Sequence, residues 1–340
     1  MSIKIISTAS YTDDQVLTND DLTKIVDTND EWIRERTGIV QRKISKNKTT
    51  EKIAFLACKK AIEKGGIEPN QIGLILFASV TNDTKVPSSS FNVLGRLGIK
   101  EAICMDINAA CSGFIYSLTV AKAMMKMQNI RYCLVVGSER LSKVTNWEDR
   151  STCILFGDGS GAVLLENDAA NGEIKLDKNN CQKFYNIDFE IKDQYIKGEY
   201  DKDFNLILDM KNDIDDMSNN YIEMNGRQIY KFATKIGPKL INDLLDKNNI
   251  NQSDVHAIIC HQANLRIIEN LSIKTDIEID KWFVNIEKYG NTSSASVPIA
   301  LDEYITSLKE NNAHIEKGKY VVLLAFGGGL SYGVILLKVI

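Results

Sequence analysis

Asn108-Ala109-Ala110-Cys111-Ser112-Gly113 is the stretch on which the reading of this chain turns. Before it, Ala102 to Ile107 is an apolar run that predicts a short buried strand. After it, Gly113 to Gln128 has the length and periodicity of a helix, with Leu118, Ala121, Ala123 and Met124 among its apolar positions. Cys111 therefore stands where a strand turns sharply into a helix. The unpaired N–H groups and positive end of that helix favour thiolate, the nucleophilic form of the side chain. Taken alone, a cysteine there is more often a small buried core residue.

Working outward, the second half of the chain repeats the first. Gly66-Ile67-Glu68-Pro69-Asn70-Gln71-Ile72 through Ala78 aligns with Asn249-Ile250-Asn251-Gln252-Ser253-Asp254-Val255 through His261, at an offset of 183 residues. The same offset carries Asn108 onto Asn291, which opens the turn Asn291-Thr292-Ser293-Ser294-Ala295. Farther on, Phe156-Gly157-Asp158-Gly159 and its apolar strand are echoed by Phe326-Gly327-Gly328-Gly329. Three correspondences in one order argue for duplication. Each half reads strand–helix–strand–turn–helix–strand–Gly turn–strand, which predicts an α/β protein with mixed sheets covered by helices.

The flanking elements follow from local signals. Ile3 to Ser7 predicts a first strand, and Thr18 to Asp21 offers caps for a helix over Leu22 to Val26. A polar helix carries Trp32 and Arg36, four residues apart, so an aromatic plate and a guanidinium share one face. Helix Thr50 to Lys64 stops at Gly65-Gly66 and leads to strand Leu74 to Ser79. Lys175 to Asn220, crowded with Asp, Lys, Asn and Tyr, breaks the pattern and predicts a surface excursion at the join of the halves.

Composition excludes several classes. The 340 residues carry a formal net charge of −4, so no global field recruits nucleic acid or an anionic membrane. The amino terminus turns polar too soon for a signal peptide, and no apolar run reaches membrane-spanning length. The seven cysteines show no CxxC spacing, which argues against zinc and for reduced thiols, and so for a cytoplasmic protein.

The duplicated pattern with this Cys turn resembles the thiolase-like condensing enzymes, and within them β-ketoacyl-acyl carrier protein synthase III. The resemblance rests on Asp27 through Ile33 and Arg36-Thr37-Gly38-Ile39, then Ala110-Cys111-Ser112-Gly113 and Phe156-Gly157-Asp158-Gly159. It continues through His261-Gln262-Ala263-Asn264, Gly290-Asn291-Thr292-Ser293 and Phe326-Gly327-Gly328-Gly329. It covers nearly the whole chain except the Lys175–Asn220 span. It implies a duplicated thiolase-like fold, five-layered αβαβα with two mixed sheets. Residues 1–170 would form the half with the nucleophile and 171–340 the half with a His/Asn pair.

The resemblance also implies a reaction: decarboxylating Claisen condensation of an acyl-CoA primer with malonyl-acyl carrier protein, giving a 3-oxoacyl product and starting type II fatty-acid synthesis. Cys111 would carry the acyl group, with His261 and Asn291 as its partners; the backbone N–H groups of Cys111 and Gly328 would form the oxyanion hole. Trp32, Arg36 and Arg150 would hold the nucleotide of coenzyme A, and Gly226, Ala263 and Asn264 the pantetheine arm. Val86, Leu155 and Phe326 match acyl-pocket positions, Val86 reaching across a homodimer. No cofactor or metal is implied beyond the coenzyme A thioester as substrate.

One feature is independent of the resemblance. Arg227, Lys231, Lys235 and Lys239 recur every four residues and, with Arg266, form a basic stripe on an acidic protein. It reads either as a solvated helix face or as a dock for the acidic carrier protein.

Relatives with a second histidine, a second cysteine in the terminal Gly loop, or an added glutamate are disfavoured, because this chain has Asn291, a Cys-free Phe326–Tyr332 loop and only Asp83. Val86 in place of a bulky aromatic, together with the long excursion, leaves open a specialised condensing enzyme of a polyketide or other secondary pathway. A non-catalytic carrier-protein-binding partner is the remaining, non-enzymatic alternative.

Overall fold

The computed structural model describes residues 2–170, 188–209 and 220–340. The first half runs β1 (Ile3–Tyr11), β2 (Val16–Thr18), α1 (Asn19–Leu22), α2 (Asp30–Thr37), β3 (Gln41–Lys43), α3 (Thr50–Gly65), β4 (Ile72–Ala78), α4 (Ser89–Leu97) and β5 (Ile103–Ile107). It ends with α5 (Gly113–Met127), β6 (Tyr132–Arg140), α6 (Arg150–Cys153) and β7 (Asp158–Asn167). The second half runs β8 (Phe189–Gly198), β9 (Leu206–Leu208), β10 (Ile222–Met224), α7 (Gly226–Lys247), β11 (Val255–Cys260), α8 (Leu265–Thr275) and α9 (Ile286–Tyr289). It closes with α10 (Ser296–Glu310), β12 (Tyr320–Gly327) and β13 (Ser331–Val339).

Local chemistry sets the ends of these elements. Asn29 caps α2 by accepting the Trp32 N–H, and Thr49 caps α3 by accepting that of Lys52. Gly66 stops α3 in the left-handed region at φ 65°, which a Cβ disfavours. The first helix is displaced from its expected place. Thr18 and Asp21 form a reciprocal capping box, so α1 begins at Asn19 and is over by Leu22, rather than spanning Leu22 to Val26.

Two mixed sheets are stacked. One has the order β1-β7-β6-β4-β5 and the other β11-β12-β13-β8; Lys4 and Ile5 of β1 pair with Glu190 and Phe189 of β8, so the nine strands are hydrogen-bonded continuously. Between the sheets lie α5 and α10. Phe114, Ile115, Leu118 and Met125 of α5 and Val297, Leu301 and Ile305 of α10 pack on Leu76, Val135 and Val163 from one sheet and Ile259, Leu323 and Ile335 from the other. Helices α3 and α4 cover the outer face of the first sheet, α7 and α8 that of the second. The result is five layers, αβαβα. Each large apolar side chain so buried contributes roughly 1.5–3 kcal/mol.

The 183-residue step is visible in the backbone. It carries α5 onto α10, and the left-handed residues Ala110 (φ 45°) onto Ser293 (φ 48°), Gly66 onto Asn249, and Asn129 onto Asn312.

Two expectations are corrected here. The Ala102–Ile107 run is an edge strand with Ile103 38% exposed, not a buried one, because β5 pairs only with β4. The Lys175–Asn220 span is not only a surface excursion: β8 within it pairs along its length with β13 near the middle of the layered sheets. Its alternation is masked by charged residues on the exposed part of the strand. The remainder of the span, with Cys181, includes positions outside the described residues.

Candidate active site

The turn Ala110-Cys111-Ser112 is a single tight turn between β5 and α5, with Ala110 at positive φ. It is clamped against the terminal Gly loop. Ser331 Oγ donates to the Ala109 carbonyl at 2.8 Å, and Ser112 Oγ lies 2.6 Å from Ser331 Oγ. Gly327 makes this approach possible: a Cβ there would stand 2.7 Å from the Cys111 backbone nitrogen. The next residue, Gly328, lines the cavity beside Cys111.

Asn291 is held by backbone pairing. Its N–H donates to the Leu155 carbonyl (2.8 Å) and its carbonyl accepts the Gly157 N–H (3.0 Å). Gly157 admits the neighbouring Tyr289 carbonyl, which would lie 2.1 Å from any Cβ. The Asn291 side-chain oxygen accepts the Ser293 N–H at 2.8 Å, which leaves its NH₂ group as the donor end. His261 follows β11, is 2% exposed, and has its Nδ1 2.6 Å from Ser296 Oγ at the start of α10. Phe326 packs edge-on against its ring at 5.6 Å between centroids.

Cys111, His261 and Asn291 line the buried end of one channel of about 660 Å³. Trp32, Arg36, Gly226, Ala263 and Asn264 line the same channel, and Arg150 stacks on the indole of Trp32 with its guanidinium carbon 4.4 Å from the ring centroid. Asn264 Nδ2 donates to the Arg36 carbonyl while its oxygen caps α8, so it ties α2 to α8 at the channel wall.

Beyond Cys111 lies a second cavity of about 630 Å³, lined by Val80, Leu141, Phe156, Leu206, Leu208 and Ile222 among others. Val86, Leu155 and Phe326, expected at the acyl pocket, are not among the residues that line it. Leu155 and Phe326 line the channel instead. Val86 is 90% exposed and lines neither the channel nor this cavity.

Electrostatics also depart from expectation. Burial pushes the Cys111 thiol up to about 12, against a hydrogen bond from Ser293 that lowers it and with the charge of Glu139 adding to the rise. The helix end that was to favour thiolate is worth about 0.3–1 kcal/mol, less than one pKa unit, and burial outweighs it. Burial likewise lowers His261 to about 3, so the imidazole is neutral at physiological pH.

Sequence reasoning missed four residues. Ser296 and Ser293 carry no signal beyond their place in a small-residue turn. Glu139 is fully buried and accepts from Thr81 Oγ1 (2.6 Å), Ser294 Oγ (2.7 Å) and Ser79 Oγ (3.1 Å), joining the Asn291 turn to the Val80 wall of the cavity. Leu206, which lines both channel and cavity, comes from the span read as an excursion. Only its apolar triplet Leu206-Ile207-Leu208 could have marked it.

The basic residues Arg227, Lys231, Lys235 and Lys239 are exposed along α7, with Lys239 paired to Asp243 at 2.9 Å. Arg266 is exposed at the start of α8 and lines the channel. Among the described residues no helix is long and apolar enough to cross a membrane, and no group of three His, Cys, Asp or Glu is placed to hold a metal.

The chain matches two family profiles, 3-oxoacyl-[acyl-carrier-protein (ACP)] synthase III over residues 105–180 and the C-terminal part of the same family over residues 245–339. It is 40% identical over 337 residues to a β-ketoacyl-[acyl-carrier-protein] synthase III of Clostridium acetobutylicum, covering 99% of this chain and 98% of that one. Among solved structures it is similar to 3-oxoacyl-[acyl-carrier-protein] synthase III from Aquifex aeolicus VF5, with a TM-score of 0.86, 39% identity and 99% of each chain covered. It is also similar to the priming β-ketosynthase of the R1128 polyketide biosynthetic pathway, with a TM-score of 0.86, 28% identity, and 99% and 96% of the two chains covered.

Proposed function

The chain belongs to the β-ketoacyl-[acyl-carrier-protein] synthase III family, the thiolase-fold condensing enzymes that initiate fatty-acid synthesis, and from that premise we propose how its residues divide the reaction. It is an acyltransferase and catalyses the initiating condensation; the relatives at about 40% identity favour this over a polyketide pathway. In our reading, the Cys111 sulfur attacks the carbonyl of an acyl-coenzyme A primer. A tetrahedral oxyanion forms against the N–H groups of Cys111 and Gly328, and coenzyme A leaves as its thiol. Malonyl-acyl carrier protein then loses CO₂. The His261 Nε2–H and the Asn291 NH₂ receive the enolate oxygen, and the enolate carbon attacks the acyl-Cys111 carbonyl. Cys111 is released as thiolate and the 3-oxoacyl chain leaves on the carrier.

The single observation that carries this reading is the convergence of Cys111, His261 and Asn291 at the buried end of a channel whose outer wall holds Trp32 and Arg36. A neutral His261 suits a hydrogen-bond donor to an enolate. In the same reading Trp32, Arg36 and Arg150 hold the nucleotide and Gly226, Ala263 and Asn264 the pantetheine arm. Residues 1–170 form the half with the nucleophile, and 171–340 the half with the His/Asn pair. Arg227, Lys231, Lys235 and Arg266 receive the carrier protein.

We extend the proposal to a cytoplasmic homodimer that needs no cofactor. The open edge of β5, with Ile103 exposed on it and Phe91 exposed on the adjoining α4, fits a second copy better than solvent. Val86 would then act on the partner's acyl cavity.

Intact-mass measurement tests the core of the reading. Incubation with acyl-coenzyme A should add one acyl mass that malonyl-acyl carrier protein discharges, and Cys111→Ala should show neither. Absence of an adduct from every primer would overturn it.

A further inference from the structure

The contact between His261 and Ser296 has a counterpart in the first half. The 183-residue step places His261 on Ala78 and Ser296 on Gly113. There, a Cβ on Gly113 would stand 3.2 Å from the Ala78 Cβ, so the pair is a bare packing contact between a strand end and the helix that follows. In the second half the same contact has become polar: Ser296 Oγ lies 2.6 Å from His261 Nδ1, both side chains buried. The packing position has been converted into a hydrogen bond beside the reacting thiol.

The donor order at this bond can be worked out. The Gln262 backbone N–H points at Ser296 Oγ from 3.4 Å, so the oxygen already accepts. Among the described residues, Ser296 Oγ–H has no other acceptor than His261 Nδ1. If Nδ1 carried the ring proton, the hydroxyl proton would be buried and unpaired, a penalty that shifts the population by about tenfold or more. We propose that Ser296 is a positioning residue that holds His261 as the Nε2–H tautomer, leaving the ring's only donor facing the channel. This rests on the assignment of His261 to the condensation step. It follows that Ser296 serves condensation and is dispensable for acylation of Cys111.

The chain has only three histidines, 256, 261 and 314, so their ring nitrogens can be resolved by ¹⁵N NMR of histidine-labelled enzyme. His261 in the unsubstituted protein should show a protonated Nε2 and an acceptor Nδ1, and Ser296→Ala should give a mixture. Condensation by Ser296→Ala should fall about two- to tenfold, in step with the Nε2–H fraction lost and short of the roughly 10²–10³ lost with a donor itself, while acylation of Cys111 is unchanged. A protonated Nδ1 in the unsubstituted protein overturns the proposal, as does Ser296→Ala retaining condensation or losing both half-reactions equally. If Ser296→Ala does not fold, the tautomer of the unsubstituted protein still decides. Failure of that protein to acylate at all would instead strike the proposed function.

Discussion

The guanidinium of Arg150 lies over the indole of Trp32, 4.4 Å from its centroid, and donates to the Asp27 carbonyl at 2.9 Å. Arg36 approaches the same ring at 5.8 Å. Two cations thus share one aromatic plate at the mouth of the channel. A purine that stacks on Trp32 has to part Arg150 from the ring, and the freed guanidinium then faces the phosphates. Trp32→Ala and Arg150→Ala should each raise KM for acyl-coenzyme A by roughly 5–30-fold, about 1–2 kcal/mol, with kcat little changed. Equal losses in kcat and kcat/KM would place both residues outside nucleotide binding.

Cys111 should be a reluctant nucleophile in the free enzyme. With burial holding it near 12, thiolate is scarce at neutrality, and alkylation by iodoacetamide should accelerate about tenfold per pH unit from about 7 to 9 without a plateau. A plateau below pH 8 would show that the helix end outweighs burial after all.

Stability should fall in acid partly because of His261. Its folded value near 3 lies below the ordinary 6.5, so the unfolded chain takes up a proton first as pH falls. The contribution is therefore complete above about pH 6.5 and is lost as pH drops toward 3. Cys111, raised from 9.0, behaves oppositely: its contribution is complete below pH 9 and is lost as pH rises toward 12. Denaturation of His261→Gln between about pH 6 and 4 should show a slope shallower than that of the unsubstituted protein by up to about 1.4 kcal/mol per pH unit. Parallel slopes would mean that His261 is protonated in the folded state.

The basic face of α7 should select the carrier protein without touching coenzyme A substrates. Lys231→Glu with Lys235→Glu should raise KM for malonyl-acyl carrier protein about tenfold at low salt, less in high salt, and leave KM for acyl-coenzyme A unchanged. Equal effects on both substrates would return the stripe to a solvated helix face.

What the sequence determined by itself was the fold and the family. The left-handed stop at Gly66 and the Cys111 and Asn291 turns are short-range features, and the recurrence of stop and turn 183 residues on makes the duplication legible. Short-range signals specify elements because they act within one or two turns of chain. The tertiary structure decided what depends on distant residues meeting. Burial raises the Cys111 thiol and lowers the His261 imidazole. Ser296 reaches His261 only where α10 meets the end of β11. Leu206 reaches the channel from a span with no readable pattern, and Leu155 lines the channel rather than the second cavity. Desolvation and long-range pairing belong to the packed molecule, and no window of sequence contains them.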